Sequence, residues 1–173
     1  GRNVREFSDR VLRDSLVRSR TEGAVSRAIA DYDLFSSFGV ATASIENQMG
    51  LLHSISSRGN PEVAEAHFRR ALSLAEENEP LLNIMVSNLG CWLIVTNKVV
   101  EGFELVKDIQ LPANYAACRF FAAHQVLDSS DFRQYVLDHR DEADVAVSGA
   151  RAWLTKNDLS GIVKLLKDVL AEP

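Results

Sequence analysis

The sequence contains no long apolar run and few cysteines, and it carries no excess of positive charge. No stretch approaches the roughly 18 consecutive apolar residues of a membrane-spanning helix, so we predict no membrane span. Two cysteines in 173 residues exclude a disulfide framework and indicate buried free thiols. The net charge of −5 argues against nucleic acid as a partner. Because no signal peptide is apparent either, we predict a cytoplasmic protein.

The motifs that usually mark an enzyme are also missing. The glycines form no phosphate-binding loop, no dinucleotide fingerprint and no Gly-x-Ser-x-Gly elbow. None of the four histidines has a second histidine four residues away, so zinc chemistry has no support. We therefore predict that the protein is not an enzyme and that it has no catalytic residue, no metal site and no cofactor.

What the sequence does have is helical periodicity along almost its whole length. No segment alternates long enough to be a strand. Three prolines, Pro61, Pro80 and Pro112, stand where helices plausibly begin, and Asn60 is a good N-cap before the first of them. These patterns predict an all-α fold of about ten helices, over about 3–19, 24–34, 41–56, 61–77, 80–95, 98–109, 113–127, 131–140, 142–154 and 159–171.

The turns between these helices are short, which makes neighbouring helices antiparallel and indicates a stack of helical hairpins. Small residues recur at fixed places in the hairpins. Gly90 and Gly102 are twelve residues apart, and Gly149 and Gly161 repeat that spacing. Ala64 and Ala71 hold similar places in an earlier helix. We interpret all six as positions where two helices approach closely.

This arrangement resembles the tetratricopeptide repeat, a helical hairpin of about 34 residues with small residues at fixed positions. Three segments carry the resemblance: Ile45–Pro80, Leu81–Pro112 and Glu142–Pro173. The sequence AEAHFRRALSLA, which begins at Ala64, is the closest single match. The repeats are degenerate, since the helices between Ala113 and Arg140 match poorly. The resemblance implies a right-handed α-solenoid over residues 41–173, preceded by an N-terminal helical pair over 1–40, within one domain.

The resemblance also implies a concave groove, lined by the first helix of each hairpin, that holds a peptide or helix of another protein. Carried over by spacing, six residues are expected to line it: Asn47, Ser54, Ser87, Cys91, Arg119 and Ala123. This lining is small and mostly neutral and contains no lysine. It therefore favours an apolar or helical ligand over a clamped carboxylate.

Several other side chains have two interpretations. His53 and His124 fall on first helices and either line the groove or are ordinary partly buried histidines. Cys91 and Cys118 are expected to face one another in the core, where nothing local activates a thiol. Trp153 is expected to pack in the core rather than to form a binding platform.

These observations predict a protein-interaction module, a scaffold or adaptor without catalysis. The alternative is a regulatory or sensory domain of a larger protein such as a transcriptional regulator, although no helix-turn-helix is evident. A third possibility is an enzyme of unrecognised type. A homodimer is expected if either end of the helical stack is apolar.

Overall fold

The computed structural model describes residues 22–39, 42–55, 60–76, 81–150 and 153–171. Within these ranges it contains nine α-helices, one 3₁₀ helix and no strand, which confirms the all-α prediction. The predicted helix at about 3–19 lies outside the described residues. The α-helices are α1 (Glu22–Ser37), α2 (Ala43–Ile55), α3 (Pro61–Leu74), α4 (Leu82–Val95), α5 (Val99–Val106), α6 (Ala116–Val126), α7 (Ser129–Asp138), α8 (Arg140–Gly149) and α9 (Lys156–Ala171), and the 3₁₀ helix is Ala113–Tyr115.

Local chemistry accounts for several helix ends. The side chain of Asn60 accepts a hydrogen bond from the backbone N–H of Glu62 at 2.9 Å, and Pro61 follows as the first helical residue. Asp128 caps α7 in the same way. At the end of α4, Asn97 adopts a φ of 68° and the N–H of Lys98 donates to the oxygen of Leu93 at 2.8 Å. This is a Schellman-type end, which needs a residue that tolerates the left-handed region.

Among the described helices, the predicted boundary that differs most from the structure is the end of α8. The eighth described helix ends at Gly149, whereas the periodicity predicted that it continues to about residue 154. Ala150 already has a ψ of 120° and has left the helix, and Trp153 and Leu154 lie in the connection to α9. Glycine is a weak helix former, so a helix whose last residue is Gly149 is easily terminated there.

The chain divides into two compact units, Gly1–Met85 and Val86–Pro173. In the first unit α1 packs on α2, and α2 packs on α3. The helices bury two apolar clusters. One contains Val25, Ala28, Tyr32, Ile45, Met49 and Leu52, and the other contains Ala43, Ala71 and Met85. The prediction of one domain, with residues 1–40 as an N-terminal pair, stays a prediction.

In the second unit, α6 is the central helix. It contacts α5, α7, α8 and α9, and α9 also packs on α7 and α8. Helices that do not follow one another in the chain therefore share one core, which includes Phe103, Phe120, Phe132 and Leu166. The right-handed solenoid stays a prediction. No helix in the described part of the chain is long and apolar enough to cross a membrane.

The small residues divide into two groups. Ala64 and Ala71 are fully buried, as expected. A Cβ added to Gly102 would lie 2.5 Å from the carbonyl oxygen of Gly90, so α4 and α5 touch at these two glycines and the prediction is confirmed there. At Gly149 and Gly161 an added Cβ would meet no atom of the described residues within 4 Å, so the packing prediction for this pair is wrong.

Candidate functional site

The six predicted groove residues do not form an open lining. Asn47, Ser87, Cys91, Arg119 and Ala123 are buried, and only Ser54 is half-exposed, with its hydroxyl donating to the oxygen of Leu51 at 2.8 Å. Asn47 and Ser54 belong to the first unit and the other four to the second. In this structure the five buried residues are core residues. Binding of a partner through these positions stays a prediction, and they offer no open surface for it.

Arg119 shows how a predicted binding residue is used inside the fold. Its guanidinium donates to the backbone oxygens of Val106 at 3.4 Å and Ile109 at 3.0 Å, and it pairs with the carboxylate of Glu142. The first two acceptors lie at the end of α5 and just beyond it, where helix carbonyls lack intrahelical partners. Arg119 therefore caps α5 from α6 and links both to α8.

The two cysteines contact each other in the core of the second unit, as predicted. The thiol of Cys118 lies 3.9 Å from the backbone oxygen of Cys91, and both thiols are free and buried. Burial raises the pKa of the Cys91 thiol well above its ordinary value, and the hydrogen bond with Cys118 raises it further. A thiol held in its protonated form is a poor nucleophile, so Cys91 has the character of a packed core side chain.

An open cleft lies between α6 and α9, and we call it the α6–α9 cleft. Its volume is about 340 Å³. The floor is apolar, and Gly161 leaves open space where a side chain would otherwise stand. The cleft is lined by Phe121, His124, Gln125, Asn157, Asp158, Gly161, Ile162 and Leu165.

A second cleft, which we call the Trp153 cleft, adjoins the first. It has a volume of about 260 Å³ and shares Phe121 and Asp158 with the α6–α9 cleft. Trp153 is half-buried, and its ring packs against that of Tyr115 with centroids 5.0 Å apart. Trp153 packs against the core, as predicted, and it also lines this cleft, together with Ile94, Val95, Asn97, Phe121, Leu154, Thr155 and Asp158.

Two of the polar side chains that line the clefts are hydrogen-bonded to one another. Thr155 and Asp158 bond to one another at the start of α9, where the N–H of Asp158 donates to the Thr155 hydroxyl at 3.3 Å. The ring of His124 meets the ring of Phe132 edge-on at 5.2 Å between centroids. The clefts therefore combine apolar and aromatic side chains with polar ones, a mixture that protein-interaction sites also show.

A buried carboxylate is the centre of a polar cluster in the described part of the first unit. We call Tyr32, Glu46, His53, His67 and Arg70 the Glu46 cluster. Glu46 is completely buried, and it accepts a hydrogen bond from the Tyr32 hydroxyl at 2.6 Å. Its other oxygen lies 2.7 Å from Nδ1 of His67, and Nε of Arg70 lies 3.2 Å from the carboxylate. The cluster thus joins α1, α2 and α3.

Competing effects set the ionisation of Glu46. Burial acts to raise the pKa of its carboxyl, but hydrogen bonds from His67 and Tyr32 and the charges of His67 and Arg70 outweigh burial, and the pKa is lowered. Burial and the bond to Glu46 raise the pKa of Tyr32. The carboxylate is therefore ionised at neutral pH, and the tyrosine is its hydrogen-bond donor.

No family model, curated protein or solved structure matches the chain. The resemblance to tetratricopeptide repeats therefore stays a prediction. Among the described residues no group of three or more His, Cys, Asp or Glu side chains is placed to hold a metal ion.

Sequence reasoning missed both the Glu46 cluster and the paired clefts. Glu46 and His67 are 21 residues apart on different helices, and only the packing of α2 on α3 brings them together. One weak signal was available, since Glu46 lies directly after Ile45 on an otherwise apolar face of its helix. His124 was considered as a lining residue, and the structure places it in the α6–α9 cleft.

Proposed function

We propose that this chain is a protein-interaction module, a scaffold or adaptor, which binds an apolar peptide or helix of another protein without catalysis. One observation carries the proposal. The α6–α9 cleft and the Trp153 cleft adjoin, share Phe121 and Asp158, and together present apolar surface from α6, α9 and the connection before α9.

The size of the clefts favours side chains over a whole small molecule. At about 340 and 260 Å³, each lies at or below the lower end of the range of ligand pockets, about 300–1,000 Å³. Two adjoining small clefts suit two apolar side chains of one segment, the usual way in which a helix or extended peptide is anchored. Half-exposed aromatic residues such as Trp153 and Phe121 are the kind that contribute most to such interfaces.

The close contact of Gly90 with Gly102 supports a hairpin of the tetratricopeptide type for α4 and α5, because small residues at this spacing are what that resemblance implies. We propose this family relation, a cytoplasmic location and partner binding together. The proposed contact surface differs from the predicted groove, since it uses α9 and residues around Trp153 in place of Ser87, Cys91 and Arg119.

The proposal can be tested by filling one cleft without disturbing the fold. Gly161→Leu puts a side chain into the α6–α9 cleft at a position where a Cβ meets open space. Gly149→Leu is the matched control, since Gly149 is also an exposed helical glycine with open space but does not line either cleft. Peptides are selected from a displayed random library on the full chain, and their Kd values are measured for the three proteins.

We expect the selected peptides to carry two apolar anchor side chains. They should bind Gly161→Leu at least about tenfold more weakly than the parent, which corresponds to a loss of about 1.4 kcal/mol of binding free energy. Gly149→Leu should bind like the parent. If no peptide is enriched, or if the Gly161→Leu variant binds as tightly as the parent, the clefts are not the binding site. Trp153→Ala provides a second check at the other cleft.

A further inference from the structure

We propose that the stacked rings of His53 and His67 form an acid-sensitive contact between α2 and α3, and that placing a proton on both rings loosens these two helices. The contact belongs to the first unit and is independent of the clefts in the second. The ring centroids are 5.4 Å apart, and the ring planes are inclined by 13°, so the planes of the two imidazoles are nearly parallel.

The two rings have different surroundings. Nδ1 of His67 lies 2.7 Å from the ionised Glu46, so this nitrogen carries a proton and donates it in a hydrogen bond. A further proton on the opposite nitrogen makes His67 a cation beside a carboxylate, which is favourable. Tyr32 of α1 meets the same ring edge-on at 5.2 Å, and Arg70 of α3 also faces Glu46. His67 is therefore the ring of the pair that bonds directly to the carboxylate.

The surroundings of His53 disfavour its protonated form. Burial lowers the pKa of His53, and the neighbouring His67 lowers it further, while Asp33 of α1 acts in the opposite direction. The net pKa lies below the ordinary value of 6.5. With a proton on both rings, two cations stand with their centroids 5.4 Å apart. Coulomb repulsion at this separation favours moving α2 and α3 apart or admitting water between them.

The pH window follows from the direction of these shifts. Because folding lowers the pKa of His53, its contribution to stability is complete above 6.5 and is lost as the pH falls from 6.5 through the lowered pKa. The pKa of Glu46 is lowered from its ordinary value of 4.5, so titration of Glu46 affects the stability of the fold only below pH 4.5. Between these two limits, protonation of His53 is the step within the Glu46 cluster that weakens the α2–α3 contact.

Amide hydrogen exchange of the full chain tests the proposal, with rates corrected for the intrinsic effect of pH. Samples at pH 7.5 and 5.5 are compared for the parent, for His53→Phe, and for His124→Gln as a control. His53→Phe keeps an aromatic ring for stacking but cannot be protonated. His124 is an exposed histidine of the second unit, where its ring meets that of Phe132.

In the parent and the control, we expect acidification to reduce the protection of the amides of α2 and α3 against exchange. The reduction should be up to about tenfold per pH unit for each proton taken up. The amides of α6 and α9 should change less. In the His53→Phe variant this fall should be absent. An equal fall in His53→Phe, or none in the parent, overturns the proposal. If His53→Phe does not fold, NMR titration of the parent decides: a His53 pKa below 6.5 supports the proposal, and one at or above 6.5 overturns it.

Discussion

Gly90 and Gly102 bring the backbones of two helices into contact. A Cβ on Gly102 would lie 2.5 Å from the Gly90 oxygen and 2.7 Å from a side-chain carbon of Ile94. A Cβ on Gly90 would in turn collide with the side chain of Val106. The contact therefore requires glycine at both positions, because a side chain on either one would push α5 away from α4.

Substitution of Gly102 by Leu should destabilise the protein. The new side chain must displace the Gly90 backbone and Ile94, and overpacking of this kind costs about 1–3 kcal/mol. Gly90→Leu should behave similarly through Val106. Urea unfolding followed by circular dichroism measures the change. A Gly102→Leu protein with the parent's unfolding free energy would mean that α4 and α5 do not pack at these glycines.

Substitution of Gly161 by Ala should have the opposite effect. Gly161 lies inside α9, and an added Cβ meets no atom of the described residues within 4 Å. Alanine reduces the entropy of the unfolded chain without a clash, which should raise stability by about 0.5–1 kcal/mol. Thermal unfolding should show a higher Tm than the parent. An unchanged or lower Tm would contradict the open environment of this glycine.

Replacing Arg119 by Met should destabilise the second unit through lost hydrogen bonds. The buried guanidinium serves the oxygens of Val106 and Ile109 as well as Glu142, and leaving buried acceptors unpaired costs about 1–3 kcal/mol each in the general case. Glu142→Gln is the comparison. It removes only the charge of a partly exposed partner and should cost less. Equal costs for the two changes would show that Arg119 acts mainly through the ion pair.

The effect of Glu46→Gln should depend on pH. Near pH 7 the variant loses the charge-assisted hydrogen bonds from Tyr32 and His67. Each such bond contributes about 1.5–3 kcal/mol to the free energy of unfolding in the general case. The lowered pKa of Glu46 means that its contribution is present above its ordinary value of 4.5 and is lost as the pH falls through the lowered pKa. Urea unfolding at pH 7 and pH 3 should therefore show a difference that shrinks in acid.

Helix positions could be predicted from the sequence because their causes are local. Periodicity located all nine described helices, and Asn60 with Pro61 marked the start of α3. The spacing of small residues predicted close helix packing correctly for only one of the two glycine pairs. Gly90 with Gly102 and Gly149 with Gly161 have the same separation, but only the first pair has another helix against it. Spacing places a residue on a helix face, whereas the rest of the fold determines what lies opposite.

The site residues were harder to predict for the same reason. Ser87 and Arg119 look like groove residues on their own helices, but tertiary packing buries both. The pairing of Arg119 with Glu142 joins residues 23 apart, and that of Glu46 with His67 joins residues 21 apart. Neither pair has a local motif. A buried charge and its partner are recognised only when the helices that carry them are seen together.

The turn at Asn97 has a consequence for the order of folding. It closes the α4–α5 hairpin so that Gly90 and Gly102 meet across only twelve residues of chain. Contacts this local lose little chain entropy when they form, and such contacts are commonly present in the folding transition state. We therefore expect Gly102→Leu to act mainly by slowing refolding. Loss of the more distant contact between Arg119 and Glu142, which are 23 residues apart, should instead speed unfolding.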